Sequence, residues 1–351
     1  MTTGSRSGRD PGSPNPQPAA INAARMADRP GTEPMLSGLK PGYDSSTKVG
    51  QLSRREFAAL AATAAAAPFA GVTGISGAAA ITAAQLIERI KEKIGVEWKP
   101  DSVDTVKAGD PSTVIRGVAT TSMATLAVLQ QAVKAGVNVI ITAQPTFYAR
   151  ADVPTPPAGR GEPNVPPAPD KIFAAKSAFI SSNKLVIFRL SDHWRQRRPD
   201  PLTQGIAAAL RWTKYQSTDD PQRFDVPRIP LDELASSVKS ALRSRGGIRV
   251  VGDPRTDVTR VGLLPGTTAI QAALKLLPTV EAIIAGEVRE WESVEYARDK
   301  VFAGEKKALI LVGRVVSEEP GMALCADWIK SFVTEVPVRH ISAGDPYWRP
   351  S

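Results

Sequence analysis

Residues 137–142 form an almost continuous β-branched run, VNVIIT. A strand without alternation of apolar and polar residues is typical of a parallel sheet, because helices cover both faces of such a sheet. A helical segment at 123–135, closed by Gly136, comes directly before this run, and residues 114–119 predict an earlier strand. Together these elements predict a βαβ unit with a right-handed crossover, and therefore an α/β fold.

The alternation of helix and strand continues along the chain. A helix is predicted after Thr82, because Gln85 follows this hydroxyl residue three positions later in a capping-box pattern. Further strands are predicted at 185–190, 249–251, 258–264, 282–285, 308–312 and 338–342, and further helices at 171–182, 202–210, 231–243, 268–277, 290–298 and 320–332. The polar, proline-containing stretch at 214–230 indicates a boundary, and the proline-rich stretch at 153–169 predicts an exposed loop.

The first eighty residues predict an export signal. Residues 1–50 are rich in Gly, Pro, Ser, Thr and Ala without apolar periodicity, which is typical of a disordered segment. The sequence SRREF at 53–57 then precedes an alanine-rich, charge-free run at 58–80 that ends in a small-residue cleavage site. This pattern resembles a twin-arginine signal, so we expect recognition by the twin-arginine export machinery and delivery to the periplasm or the outside.

Two alternatives remain open for this segment. The arginine pair could be a chance neighbour of an alanine-rich linker, and the long stretch before it leaves Met1, Met26 and Met35 as possible starts. The run at 58–80 is too weakly apolar to predict a stable membrane span.

The composition restricts the chemistry. The chain has only two histidines and one cysteine, which excludes an all-histidine metal site, a thiolate zinc cluster and an intramolecular disulfide. The formal net charge is +9, but the sequence has no dense Lys/Arg run interleaved with aromatic residues. We therefore expect no nucleic-acid binding.

Polar clusters follow four predicted strands, at 143–144, 192–200, 287–290 and 314–318. Loops beyond the carboxyl ends of parallel strands assemble ligand sites in α/β folds. Carboxylates in such loops can hold a hard divalent cation or act as acid or base. The candidate catalytic residues are Glu287 and Glu290, and the candidate substrate-binding residues are His193 and Arg197, with Arg195 and Arg198 as further anion-binding candidates. Each cluster taken alone could equally be a solvated surface loop.

Two long segments carry a family resemblance. Residues 117–148 resemble the amino-terminal signature of the Nif-three-like family, which comprises dinuclear-metal-centre proteins often described as type 2 GTP cyclohydrolase I. Residues 284–322 resemble its carboxy-terminal signature, and GDPYW at 344–348 fits the end of one branch. The resemblance implies two α/β subdomains, the second inserted between the halves of the first. These would be a main domain at 81–213 and 281–351 that carries the site loops, and a smaller subdomain at 214–280. It also implies a homo-oligomer, a ring-like hexamer.

The metal ligands that this resemblance implies are only partly present. In the family, a His-His or His-Glu pair before a proline, an Asp from the middle loop and a late His-x-x-x-Glu hold two metals. In this sequence the pair falls on Ala143 and Gln144, and the late His falls on Arg314. Asp200 and Glu318 keep ligand chemistry.

These substitutions change what the site can bind. Alanine offers no ligand atom, glutamine offers one neutral oxygen, and arginine is a permanent cation. We therefore expect either no metal or one weakly bound divalent ion, and not two transition metals. Arg314 could instead supply the positive charge of the metal and pair with Asp200 or Glu318. Asp192 is the second choice for the middle Asp.

Three functions stay open at this point. The first is an exported, metal-depleted protein that binds an unknown small molecule, serves as a scaffold, or acts as an altered hydrolase. The second is an active metal-dependent hydrolase with a single loosely held ion and Glu287 or Glu290 as base. The third is a purely structural component of an oligomer.

Overall fold

A computed structural model describes residues 80–150, 152–155 and 170–350. The predicted disordered segment and twin-arginine signal lie outside these residues except for Ala80, as does most of the proline-rich stretch at 153–169. Among the helices in the described part, none combines the length and apolar character needed to cross a bilayer.

The first sheet contains the predicted βαβ unit. Its strands, in the order in which they lie side by side, are β1 (Val106–Ala108), β4 (Val186–Arg189), β3 (Val139–Thr142), β2 (Val118–Thr121) and β10 (Val338–His340). Strand β1 is antiparallel to β4, and the other four strands are parallel. Strands β2, β3 and β4 are buried along their whole length, as the absence of alternation in VNVIIT predicts.

The second sheet is formed by β5 (Arg223–Pro230), β7 (Asp257–Thr267), β8 (Ala282–Glu287), β9 (Ala308–Leu311) and β6 (Arg249–Val251), again in spatial order. Its three central strands are parallel, and both edge strands are antiparallel. The α/β fold class is thus confirmed, with two sheets.

The division of the chain between the sheets differs from the predicted subdomain boundary. Residues 281–351 were expected in the main domain, yet β8 and β9 pair with β7 and β6 in the second sheet. A short apolar run such as AIIA or ALIL predicts a buried strand but contains no information about its partner. A parallel neighbour can therefore belong to either sheet, and only the tertiary structure identifies it.

Nine helices of the described chain pack around these sheets: α1 (Ala83–Lys93), α2 (Leu126–Lys134), α3 (Lys171–Ser182), α4 (Asp192–Gln196), α5 (Pro201–Ala209), α6 (Leu231–Ala241), α7 (Ile270–Leu276), α8 (Glu295–Phe302) and α9 (Arg314–Lys330). Short 3₁₀ turns lie at Thr213–Tyr215 and Leu277–Thr279, and a π-helical turn, Glu290–Val294, leads into α8. The capping box of α1 forms as predicted, because Thr82 accepts from the Gln85 backbone and Gln85 accepts from that of Thr82.

Helix α9 contacts both sheets. It packs against β2 and β10 of the first sheet and against β7 and β8 of the second. It begins at Arg314, directly after β9, whereas the sequence predicted a loop at 314–318 and a helix start near Pro320. Proline is common at helix starts because it lacks an N–H, but Pro320 lies inside α9, which continues through the proline. The polar residues at 314–318 are consequently helical.

Helices α5 and α9 approach each other closely at two glycines. A methyl group added at Gly205 would lie 2.3 Å from the backbone nitrogen of Gly321, and one added at Gly321 would lie 2.4 Å from a methyl carbon of Leu202. Neither backbone can move away without disturbing the contact of α9 with both sheets.

We expect Gly205→Ala to destabilise the protein by about 1–3 kcal/mol, because the added methyl group collides with backbone rather than with a flexible side chain. The measurement is the urea midpoint of the full chain. Ala208→Ser, at an exposed position of the same helix, is the control and should change the free energy of unfolding by less than about 0.5 kcal/mol. Equal stability of Gly205→Ala and wild type would contradict the close approach.

Candidate functional site

The end of β3 and the start of α9 bring together three of the positions singled out in the sequence. After β3, the Ala143 and Gln144 N–H groups donate to the carbonyls of Thr121 and Ser122 at 3.2 and 2.9 Å, which extends the chain along the sheet edge. Glu318 lies four residues after Arg314 on α9, so the two side chains share one face of that helix. Gln144, Arg314 and Glu318 meet between these two segments.

The Glu318 carboxylate is the centre of this cluster. Both of its oxygens accept from the Gln144 amide nitrogen at 2.8 Å, and Arg314 Nε lies 3.5 Å from Oε1. The Glu318 side chain is 0% exposed, and the whole of Gln144 is 4% exposed. Burial raises the pKa of Glu318, although the charge of Arg314 and the hydrogen bond from Gln144 act in the opposite direction. The structure assigns the ion pair of Arg314 to Glu318.

Arg195, on α4, lies on the other side of the same carboxylate. A methyl group added at Gly266 would be 2.8 Å from Glu318 Oε1 and 3.0 Å from Arg195 Nη1, so both charged groups flank the bare backbone of this glycine. Arg195 also donates through Nη2 to the Pro265 carbonyl at 3.2 Å. Glu318 is therefore close to two arginine side chains from different helices.

Asp200 serves as the N-cap of α5. Its carboxylate accepts from the Leu202 N–H at 3.0 Å and from the Thr203 hydroxyl at 3.3 Å. Burial raises the pKa of Asp200, against the hydrogen bond from Leu202 and the charge of Arg195. The alternative residue for the middle Asp, Asp192, is exposed at the first position of α4.

The donor atoms of this cluster do not fit a dinuclear metal centre. The Ala143 side chain contains no ligand atom, both Glu318 oxygens accept from an amide N–H, and the Asp200 carboxylate caps a helix. In the residues that the structure describes, no group of three or more His, Cys, Asp or Glu side chains is placed to hold a metal ion. Arg314 adds a fixed positive charge beside the Glu318 carboxylate, which would repel a dication there.

A cavity of about 840 Å³ opens next to this cluster, at the carboxyl ends of β8 and β9. Its wall includes Glu287, Arg249, Arg314 and Tyr347. Glu287 is exposed and accepts from the Thr267 hydroxyl at 3.2 Å. Arg314 thus pairs with the buried Glu318 and also lines the cavity, whose wall includes Glu287. The role of Glu287 as a base stays a prediction.

Glu290, the other candidate base, lies in the π-helical turn after β8. Its carboxylate accepts from Arg249 at 2.6 Å, and both side chains are largely exposed. A solvated ion pair of this kind is typical of a surface contact. A catalytic role for Glu290 would require release of Arg249.

The structure does not place His193 where a ligand could reach it. Its ring is 0% exposed, Nε2 accepts from the Lys99 N–H at 2.8 Å, and Nδ1 is 2.7 Å from the Asp104 carboxylate. Because Nε2 is an acceptor, Nδ1 carries the proton of a neutral imidazole. The ring also stacks on Trp98 at 3.8 Å. His193 therefore belongs to the core, in helix α4 rather than in the predicted loop.

Arg197, the other candidate for substrate binding, packs against two neighbouring indole rings, whose centres are 5.2 Å apart. Its guanidinium carbon lies 5.0 Å from the ring centre of Trp194 and 4.7 Å from that of Trp328. Burial lowers the pKa of Arg197. These contacts stabilise the junction of α4 and α9 through cation–π interactions, and they direct Arg197 into packing rather than toward the cavity.

A second carboxylate, Glu319, was not among the residues singled out in the sequence, although its side chain is largely buried. It accepts from the Ser122 hydroxyl, from the Ala343 N–H at 3.0 Å and from His340 Nε2, which is 2.8 Å away. Although burial favours the neutral acid, the hydrogen bonds from His340 and Ser122 hold the pKa of Glu319 below its usual value. The one sequence feature that could have drawn attention to this carboxylate is its partner His340, which is one of only two histidines in the chain.

Arg189 was also missed, because it is the last residue of β4 and was predicted only as part of a strand. It is 7% exposed, and its Nε and Nη1 atoms are buried without a hydrogen-bond partner. A single arginine inside the apolar run LVIFRL is the feature that could have identified it.

Solved structures with this fold come from several bacteria. The chain is similar to a hypothetical protein of Staphylococcus aureus, with 14% identity and a TM-score of 0.57, covering 78% of this chain and 100% of that one. A Bacillus cereus protein related to NIF3 gives 12% identity, a TM-score of 0.56 and the same coverage. The protein ybgI, described as of unknown function, gives 21% identity and a TM-score of 0.56, covering 76% of this chain and 100% of its own.

These likenesses confirm the Nif-three-like fold, which the sequence resemblance implied, over about three quarters of the chain. No protein-family model matches the chain, and no curated protein matches it at a significant level. At such low identity the likeness concerns the fold alone.

Proposed function

We propose that this chain is an exported protein of Nif-three-like fold that binds a small molecule without a dinuclear metal centre. The observation that supports this proposal best is the pair of hydrogen bonds from the Gln144 amide to both oxygens of Glu318. A carboxylate that is fully buried and accepts on both oxygens has its negative charge satisfied by the protein itself. A metal would have to displace Gln144 before it could bind there.

The positive charge of Arg314 supports the same proposal. Its guanidinium lies where the resemblance puts a metal-binding histidine, and its Nε is 3.5 Å from Glu318. A cation that belongs to the chain balances the retained carboxylate, so the local geometry no longer depends on an ion. The adjoining cavity of about 840 Å³ is of the size that small-molecule sites have.

The alternative is a hydrolase with one divalent ion and Glu287 as base. It shares the cavity with the binding proposal but requires Glu318 or Asp200 to exchange its hydrogen bonds for a metal. Export by the twin-arginine machinery and assembly into a ring-like hexamer are further proposals, and they rest on the sequence resemblances alone.

The test is the metal content of the purified full chain. We expect well below one zinc, iron, nickel or manganese ion per chain by plasma mass spectrometry after dialysis against metal-free buffer, because the donor set is incomplete. Glu318→Gln is the matched control, since it keeps the shape of the side chain, and its metal content should equal that of the wild type. Two firmly bound transition metals per chain, lost in Glu318→Gln, would contradict the proposal.

A further inference from the structure

A turn near the C-terminal end of the described chain places an exposed aromatic ring at the cavity wall. The Asp345 carboxylate accepts from the Gly246 N–H at 2.8 Å and from the Ser244 hydroxyl at 3.2 Å. It also accepts from the Tyr347 N–H at 3.0 Å. A methyl group added at Gly246 would lie 2.5 Å from the Tyr347 Cβ atom, so the turn packs on bare glycine backbone. Tyr347 is thus fixed through its backbone, yet it is 67% exposed at the wall.

Two exposed tryptophans lie beside this wall. Trp348 follows Tyr347, and Trp291 lies in the π-helical turn whose first residue pairs with Arg249 of the wall. Arg289 lies over the Trp291 ring at 5.5 Å, but neither Tyr347 nor Trp348 stacks on another ring of the described chain. Three of the five exposed aromatic residues in the described part therefore lie at or beside one cavity. Such grouping, unlike scattered exposure, is typical of a binding site.

The charges of the cavity wall balance one another. Its charged side chains are two guanidinium groups and two carboxylates, those of Arg249, Arg314, Glu287 and Asp345. Both guanidinium groups are already paired with other carboxylates, those of Glu290 and Glu318. A charged ligand of either sign would meet a like charge in this wall, which lowers affinity. The wall therefore favours a ligand that is polar but uncharged.

The wall retains free capacity for hydrogen bonds of both kinds. Glu287 accepts from the Thr267 hydroxyl through Oε2, and within the described residues its Oε1 accepts from no side chain or backbone N–H. Arg314 lines the cavity with a side chain that is 35% exposed, and no described residue accepts from its terminal nitrogens. A hydroxyl group both donates and accepts, so one kind of ligand group serves the carboxylate and the guanidinium alike.

A sugar ring combines the two properties that this wall requires. Its hydroxyl groups lie around the edge and can bond charged side chains, while the C–H groups of its faces form an apolar surface that packs on an aromatic ring. Apolar residues, among them Val288 and Val315, form further parts of the same wall. A cavity with apolar walls and a few converging polar groups is the usual form of a small-molecule site.

We infer that the cavity binds an uncharged sugar, with one face of the ring on Tyr347 and hydroxyl groups bonded to Glu287 and Arg314. This inference rests on the proposed function, because it names the class of small molecule that the metal-free site takes. Tyr347 supplies the aromatic surface, and the balanced charges select against acidic and basic sugars.

The experiment is saturation-transfer difference NMR of the full chain in buffer that contains a metal chelator, with titration of each probe. The uncharged sugar probes are glucose, galactose, mannose and N-acetylglucosamine. Glucuronate presents a similar ring with a negative charge, glucosamine in mildly acidic buffer presents one with a positive charge, and adenine is a flat uncharged ring without hydroxyl groups. We expect saturable binding of at least one uncharged sugar, tighter than that of the other three probes.

Variants of Tyr347 test the place of binding. Tyr347→Ala should weaken binding of that sugar roughly tenfold or more, whereas Tyr347→Phe keeps the aromatic ring and should bind within about threefold of the wild type. Phe302→Ala is the matched control, because it removes an exposed aromatic ring at the end of α8 that is not part of the cavity wall. It should bind as the wild type does.

Four outcomes would overturn the inference: no uncharged sugar binds, a charged probe or adenine binds more tightly than every uncharged sugar, Tyr347→Ala folds and binds as the wild type does, or Phe302→Ala loses as much. Should Tyr347→Ala fail to fold, Tyr347→Leu replaces it, and unchanged binding in that variant counts in the same way. Failure of the proposed function is recognised separately. Two firmly held transition metals per chain would refute the metal-free site, whereas a metal-free chain that binds no uncharged sugar would refute only the ligand class.

Discussion

A variant with histidine at the three degenerate positions, Ala143→His/Gln144→His/Arg314→His, should gain tight binding of one or two zinc ions per chain. Replacing Gln144 frees both oxygens of Glu318, and replacing Arg314 removes a positive charge from the site. The new imidazole at 314 would lie one helical turn before Glu318, on the same face of α9. Imidazole and carboxylate together are suitable zinc ligands.

The measurement is zinc affinity by competition with a chromogenic chelator, together with metal content after dialysis. We expect at least roughly 100-fold tighter binding than in the wild type, about 2.7 kcal/mol. Ala143→His alone is the matched control, since Gln144 still donates to Glu318 and Arg314 still repels a dication, and it should not gain zinc. A triple variant that keeps the circular dichroism and urea midpoint of the wild type but takes up no zinc would show that Glu318 and Asp200 are not placed as metal ligands.

The sequence predicts the strands better than their partners. VNVIIT contains enough information to predict a buried parallel strand, because burial on both faces leaves a pattern in the residues themselves. Strands β8 and β9 were equally visible, but their sheet was not, because their apolar runs fit any parallel neighbour. The start of α9 was displaced for a different reason. The local preference of proline for the first turn of a helix predicts a helix start near Pro320. The packing of α9 against α5 and both sheets outweighs this preference.

In the candidate site, too, some contacts could be predicted from the sequence and others could not. Gln144, Arg314 and Glu318 were singled out by the family pattern, and the structure brings them into contact. His193 and Arg197 were singled out by residue type and by position after a strand, and both are packing residues. A polar residue in a strand-exit segment can face the ligand or the core, and sequence spacing does not distinguish these orientations in a short helix such as α4. Arg189 shows the opposite error. Its apolar neighbours in the sequence predict only a strand, and the buried charge of its side chain was therefore not considered.

Asp104→Ala should cause the largest loss of stability among single substitutions near the site. Asp104 is 2% exposed. Its oxygens accept from the backbone N–H groups of Ser191, Asp192 and His193 at 2.6, 3.1 and 2.8 Å, and from the His193 ring at 2.7 Å. Removing it leaves a buried imidazole N–H and three backbone donors without their acceptor, which costs roughly 3–5 kcal/mol. The measurement is the free energy of unfolding in urea.

This carboxylate fixes the start of α4, and α4 carries Arg195 to within reach of Glu318. The substitution should therefore also disturb the candidate site, because a displaced α4 moves Arg195 away from Gly266 and Glu318. Asp110→Ala provides the control, since Asp110 is exposed and its side chain accepts only from Ser112 in its own turn, and its urea midpoint should stay close to that of the wild type. A double-mutant cycle with His193→Phe separates the ring from the backbone. If Asp104→Ala unfolds at the same urea concentration as Asp110→Ala and the wild type, the Asp104 carboxylate does not organise α4. The position of Arg195 must then depend on its contact with Pro265 instead.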